Sequence, residues 1–246
     1  MSESLDDKDL SCLAQLPFVE QLTSEQQAVL ARLAHLLLAA NERTNLTAVR
    51  TLPDVFKLHF ADSLAALKSE PKLLNARSAA DLGSGAGFPL FPLAVALPEC
   101  QWTAIESANK KCTFIRQTAA QLGLMNVTVE HGRAEDLGRA KSGILRDHFD
   151  FVTARAVGAI SALCECGLPL LRAGGSLLLF KTENALRELK GSENKLRELG
   201  GELLPSFSYR LDGDEQDRLI LRILKTAATP NQFPRVAGMP FKKPLF

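Results

Sequence analysis

Residues 79–88 read Ala79-Ala80-Asp81-Leu82-Gly83-Ser84-Gly85-Ala86-Gly87-Phe88, and this stretch decides the fold. Small apolar residues end in an acid, three alternate glycines follow, and the apolar run 89–97 then reads as a helix. A strand, a glycine loop and a helix start, in that order, let backbone approach a ligand closely and aim helix N–H groups at it. The spacing excludes two alternatives. A dinucleotide fingerprint needs glycine or alanine at position 88, where Phe88 stands. A nucleoside-triphosphate loop needs a Gly-Lys-Ser/Thr ending, which this stretch lacks.

Outward from that loop, apolar runs at 78–82, 101–106, 126–130, 149–155, 175–181, 202–209 and 218–224 read as strands. Helical patterns at 89–97, 110–122, 160–171 and 185–199 separate them. Strand and helix in alternation predict an α/β fold, a doubly wound, seven-stranded and mostly parallel sheet. The last two strands are joined by a short turn holding Asp212-Gly213-Asp214 and should form an antiparallel edge hairpin. Upstream, 24–40 is an amphipathic helix with Ser24 as its expected N-cap, and 54–67 is a second helix. The chain therefore divides into a helical N-terminal region, 1–75, and a sheet domain, 76–246, that ends in a basic tail.

The 246 residues are 46% hydrophobic and 23% charged, the balance of a chain that folds on its own. With 29 Lys and Arg against 28 Asp and Glu, a polyanion must be met by a local patch and not by a global field. The longest apolar stretch, 88–97, is broken by Pro89 and Pro92, so no membrane span is expected. Glu3, Asp6, Asp7 and Asp9 near the start reverse the charge of a secretory signal, which points to the cytoplasm. Of the five cysteines, at 12, 100, 112, 164 and 166, only Cys164 and Cys166 stand close together; a Cys-x-Cys pair could ligate a metal, but no second Cys or His pair has zinc-site spacing, so buried free thiols are expected there and no metal.

Glu106 ends the second strand 21 residues after Gly85, where a carboxylate can accept from both hydroxyls of a ribose. The third strand leads into Gly132-Arg133-Ala134-Glu135-Asp136, a place to read an adenine edge, with Glu135 and Asp136 equivalent at this level. Together these acids and the glycine loop resemble the seven-strand, class I S-adenosylmethionine-dependent methyltransferases. Further motifs narrow the resemblance: 45–50 (Asn-Leu-Thr-Ala-Val-Arg), 58–64 (Leu-His-Phe-Ala-Asp-Ser-Leu), Lys110-Lys111 with Phe114-Ile115, Thr153-Ala154-Arg155-Ala156, and Phe233-Pro234-Arg235 with Lys242-Lys243-Pro244-Leu245. From Asn41 to the C-terminus the chain resembles the bacterial 16S ribosomal RNA guanine-N7 methyltransferases, also called glucose-inhibited division protein B. Leu90, where many relatives have glycine, and Thr182 after Lys181 are modest departures.

The resemblance implies methyl transfer from S-adenosylmethionine to N7 of one guanine in 16S ribosomal RNA, free, in the small subunit or in an assembly intermediate. It places Gly83, Phe88, Ala134, Glu135 and Arg155 on the cofactor and Glu106 on its ribose; Asp81, Gly85 and Gly87 join them by their place in the loop. N7 carries an in-plane lone pair, so in-line displacement needs no general base. Arg155 and Lys181, at carboxyl ends of strands, are candidates for the methionine carboxylate or RNA phosphates. Asn45 is a candidate for a guanine edge or a turn cap. His59 is either a catalytic neighbour oriented by Asp62 and Ser63 or a structural histidine.

The tail, 225–246, carries Lys225, Arg235, Lys242 and Lys243 without an acid, and its prolines at 230, 234, 240 and 244 predict an extended path. Arg50, Arg235, Lys242 and Lys243 are the expected RNA contacts; a tail pinned by Phe233 and Phe241 is compatible with them. A monomer is expected. Another enzyme of this fold acting on a small substrate, and a non-catalytic RNA-binding factor, stay open as rival readings.

Overall fold

The computed structural model describes residues 7–155 and 158–246; Glu3 and Asp6 of the acidic start and Ala156 lie outside them. The chain opens with α1 (Asp7–Ala14) and the long α2 (Ser24–Thr44). The cap of α2 is Thr23, not the expected Ser24: Thr23 Oγ1 accepts from the Gln26 N–H and the Gln26 side chain accepts from the Thr23 N–H, a reciprocal capping box. Asn45 ends α2 in the left-handed region, with φ of 47°.

The second helix is longer and less regular than its apolar period suggests. It runs as α3 (Leu52–Val55), a π-helical stretch (Phe56–Ala61) and α4 (Asp62–Ser69). The wide turn rotates the following residues relative to an ideal helix and so changes which side chains face the sheet.

Then come β1 (Ser78–Leu82), α5 (Leu90–Ala96), β2 (Gln101–Glu106), α6 (Asn109–Leu122), β3 (Val127–His131), α7 (Ala134–Leu137), β4 (Phe149–Arg155) and α8 (Ile160–Gly167). After them lie β5 (Leu171–Thr182), α9 (Ala185–Glu188), α10 (Glu193–Glu198), β6 (Gly201–Tyr209), β7 (Arg218–Lys225) and α11 (Met239–Lys242). Three expected elements are corrected. The helix expected over 160–171 stops at Gly167, because Pro169 sits in a 3-10 turn that leads straight into β5. The helix expected over 185–199 is split by Gly191, whose φ is 78°. The tail is not wholly extended: α11 forms with Pro240 in its first turn, where the missing N–H costs nothing.

The sheet order is β3-β2-β1-β4-β5-β7-β6, with β7 antiparallel to both β5 and β6. Direction of travel reverses between β1 and β4, and ligands of such sheets bind in the crevice outside the strand carboxyl ends at that point. Alternation along the strands divides the core between two faces. Ala79, Phe151, Leu178 and Ile220 pack with residues of α2, α4, α5 and α6, whereas Ala80, Val152, Leu179 and Leu221 pack with α8, Leu196 and Phe233. The N-terminal helices thus share one core with the sheet, through Leu33, Leu37, Phe56 and Phe60.

Candidate functional site

The glycine loop is bound to the second strand by its acid. Glu106, 6% exposed, accepts from the Gly85 N–H at 3.0 Å through one oxygen and from the Ala108 N–H at 2.8 Å through the other. Gly83, Gly85 and Gly87 have φ of 64°, 57° and 84°, a region closed to most side chains, and a Cβ on Gly87 would run into the Phe91 ring. Beyond the loop lies a cavity of about 250 Å³ lined by Gly83, Ser107, Gly132, Ala134, Glu135 and Phe241, among others. The two acids after β3 now separate. Glu135 is buried on the cavity wall, whereas Asp136 is exposed and pairs with Arg139 at 3.3 Å.

Asp81 is wholly buried at the end of β1. One oxygen accepts from Thr153 Oγ1 at 2.8 Å; the other is buried without a partner. Burial pushes its carboxyl up to about 7, against the lowering effect of the Thr153 hydrogen bond.

Beside the loop a polar chain crosses from the N-terminal helices to the sheet. Arg155 donates to the Leu58 carbonyl at 2.9 Å, to Asp62 at 2.8 Å and to His59 Nδ1 at 2.9 Å. A guanidinium has only donors, so His59 Nδ1 is an acceptor and Nε2 carries the proton, which it donates to Thr47 Oγ1 at 2.9 Å. Burial, then the Arg155 charge, lowers His59 to about 3, and it is neutral at any physiological pH. The His59 ring stacks on Phe88 at 4.4 Å, and the Arg155 guanidinium lies 5.4 Å from the same ring. Asp62, 3% exposed, also accepts from the Tyr209 hydroxyl at 2.6 Å and from Arg218 at 2.9 Å.

Two kinds of likeness bear on this geometry. The family model for rRNA small subunit methyltransferase G matches residues 26–209. The chain belongs to that family. A relative named ribosomal RNA small subunit methyltransferase G, from Deinococcus radiodurans, is 43% identical over 218 residues, covering 88% of this chain and 84% of its own. The protein of the same name from Limosilactobacillus reuteri is 38% identical over 225 residues, covering 91% and 93%. In fold, the chain is similar to an O-methyltransferase from Bacillus cereus, with a TM-score of 0.54 at 18% identity over 79% of this chain and 91% of that one. A putative O-methyltransferase from Klebsiella pneumoniae has the same TM-score at 15% identity, over 79% and 90%.

The rRNA small subunit methyltransferase G family is S-adenosylmethionine-dependent, and the residues present fit that group. The unpartnered oxygen of Asp81 is a buried acceptor suited to a cationic centre, Gly83 and Gly85 leave the loop open, and Glu106 stands at the strand end with both oxygens on backbone donors. A Cβ on Gly85 would meet only the Gly83 carbonyl, at 3.7 Å, and would otherwise project into open space.

The remaining candidates are scattered. Lys181 is half-buried and donates to the Gly158 carbonyl at 2.7 Å; burial lowers its ammonium. Asn45 is exposed and acts as the cap of α2, and beside it Arg50 donates to the carbonyls of Thr47 and Val49. Arg235, expected on phosphate, instead holds the fully buried Glu165 through Nε and Nη2, because an unpaired carboxylate in that core would be costly. Lys225, counted with the tail, is 1% exposed and paired with Asp147. Lys242 and Lys243 are exposed. A groove of about 520 Å³ between α2 and α6 carries Arg43 and Lys110, and among the described residues no carboxylate lines it.

Burial raises Cys164 to about 12 and Cys166 also upward, and both are free thiols. Among the described residues no helix is long and apolar enough to cross a membrane.

Sequence reading gave no role to Asn41, Tyr209 and Arg218, nor to Thr47, which it met only as part of the 45–50 motif. Asn41, 3% exposed, accepts from the Thr47 N–H and donates to the carbonyls of Thr47 and Val49, holding the loop that follows α2. Tyr209 is the chain's one tyrosine, a weak signal in itself.

Proposed function

We propose that this chain transfers the methyl group of S-adenosylmethionine to N7 of one guanine in the 16S ribosomal RNA of the small subunit or its assembly intermediate. The observation that carries the reading is one site: a glycine loop, a buried acid with a free oxygen, an acid at the end of β2 and another just after β3, in a member of this family. When bound, S-adenosylmethionine supplies a methyl whose bond to sulfur breaks as the bond to N7 forms, with no proton to remove.

His59 supports a mechanism without a general base, since its one unprotonated nitrogen, Nδ1, already accepts from Arg155, and burial lowers the imidazole to about 3, too weakly basic to take a proton near neutral pH. The chain's contribution is then position. Holding the reacting atoms in line is worth up to roughly 7–11 kcal/mol. Asp81 and Glu106 hold the cofactor's cationic and ribose ends. Arg155 is held to one orientation by Asp62 and His59 at the mouth of the crevice, placed for an anionic group. Asn45 is proposed to meet the guanine edge, and Arg50 and Lys181 to take RNA phosphates, since a cation against the ring would oppose the charge that N7 gains. The groove with Arg43 and Lys110, and the exposed Lys242 and Lys243, are proposed to take RNA phosphates. A cytoplasmic monomer fits this role.

Incubation with methyl-labelled cofactor and free 16S RNA, partial particles and small subunits should place label on a guanine that becomes cleavable by borohydride and aniline, the signature of N7 methylation. Label confined to small molecules or protein, or none on RNA, would overturn the reading.

A further inference from the structure

The cavity beyond β1, β2 and β3 has one wall that no strand-end motif supplies. Phe241, on α11, lines it together with Gly83, Ser107 and Ala134, and the residue is still 41% exposed. An aromatic ring left unpacked at a polar loop is unfavourable unless something apolar covers it.

The segment that carries the ring is fastened at three points, each on α7 or α8. The Gly238 N–H donates to Glu135 Oε1 at 2.8 Å. Arg235 holds Glu165, which is 0% exposed, through its backbone N–H at 2.8 Å and Nη2 at 2.6 Å. Ser161 Oγ accepts from the Leu245 N–H at 2.8 Å and the Phe246 N–H at 3.2 Å. Space for the ring is kept by Gly158, on which a Cβ would lie 2.6 Å from Phe241 Cε1. The acid that anchors Gly238, Glu135, is itself a wall of the cavity, so the tail and the strand ends are parts of one pocket.

We propose that Phe241 is a cofactor-binding residue: the C-terminal segment closes the adenine end of the S-adenosylmethionine pocket, and the Phe241 ring is the apolar surface that the adenine covers. The inference rests on the cofactor reading above. It gives the tail a role that its cations alone do not suggest, since Lys242, on the same short helix that delivers the ring inward, and Lys243, just after it, are exposed.

Titration calorimetry of the full chain with S-adenosylhomocysteine tests it. Phe241→Ala should weaken binding about tenfold, as expected for the loss of one buried apolar contact, and Phe241→Leu by much less. Phe241→Trp should keep affinity and its new emission should change on ligand addition, against the background of Trp102, which is 0% exposed. Because the ring is partly exposed, the ligand-free Phe241→Ala protein should melt close to the parent. Phe241→Ala binding within twofold of the parent, with no emission change in Phe241→Trp, would overturn the proposal, and a rise in the RNA KM alone would show that the tail serves RNA only. Failure of the parent chain itself to bind S-adenosylhomocysteine would instead overturn the cofactor reading and this inference with it.

Discussion

Asp81 and His59 show how burial sets charge at single residues. Asp81 is raised to about 7, so in the ligand-free fold it keeps a proton that the unfolded chain has lost, and its contribution to stability falls as pH climbs from about 4 to about 7. A bound cation reverses the preference, because it favours the carboxylate. Affinity for S-adenosylmethionine should therefore rise about tenfold between pH 6 and pH 8 in calorimetry, and Asp81→Asn should flatten that dependence. His59 is lowered to about 3, so the fold excludes its proton, and its stabilising contribution is present above about pH 6.5 and is lost as the pH falls toward 3. No step in kcat between pH 6 and pH 8 should trace to it, and the pH profile of His59→Gln should keep the parent's shape.

The decisive elements are the π turn before α4 and the glycine loop after β1. The turn sets Leu58, His59 and Asp62 around one guanidinium, and Asp62 passes the constraint on to β6 and β7 through Tyr209 and Arg218. Asp62→Ala would leave two half-buried cations short of their acceptor. The expected cost is roughly 3–5 kcal/mol, with a fall in melting temperature of roughly 10 °C and disordering of Arg155. At the loop, Gly85→Val forces a β-branched side chain to a φ of 57° and fills the open side, and Glu106→Ala frees the Gly85 and Ala108 N–H groups. Both should reduce cofactor affinity at least about tenfold while the circular dichroism stays that of the parent.

For the whole molecule, charge is a matter of placement. The net of +1 conceals cations that differ in availability: Lys225 is buried on Asp147 and the partly exposed Arg235 is committed to the buried Glu165, while Lys242, Lys243, Arg43 and Lys110 face outward or line the groove. RNA methylation should therefore weaken steeply with salt. The double variant Lys242→Ala with Lys243→Ala should raise the RNA KM and lower the log–log salt slope by about two, with cofactor affinity held. The double variant Lys195→Ala with Arg197→Ala, on α10 beside β6, should do neither.

The sequence alone determined the alternation of seven strands with helices, the antiparallel end and the loop from Asp81 to Gly87, because backbone geometry and side-chain period are local properties. It also determined the family, through motifs on both sides of that loop. Element ends were less legible where tertiary contacts compete with propensity, as at Gly191, Pro169 and the π turn. Only the tertiary structure decided which acid after β3 faces the cavity, that Arg235 serves a buried glutamate, and that Phe241 reaches the strand ends 100 and more residues upstream. Those outcomes depend on which distant groups share a low-dielectric space, and a one-dimensional pattern carries the residues but not their neighbours.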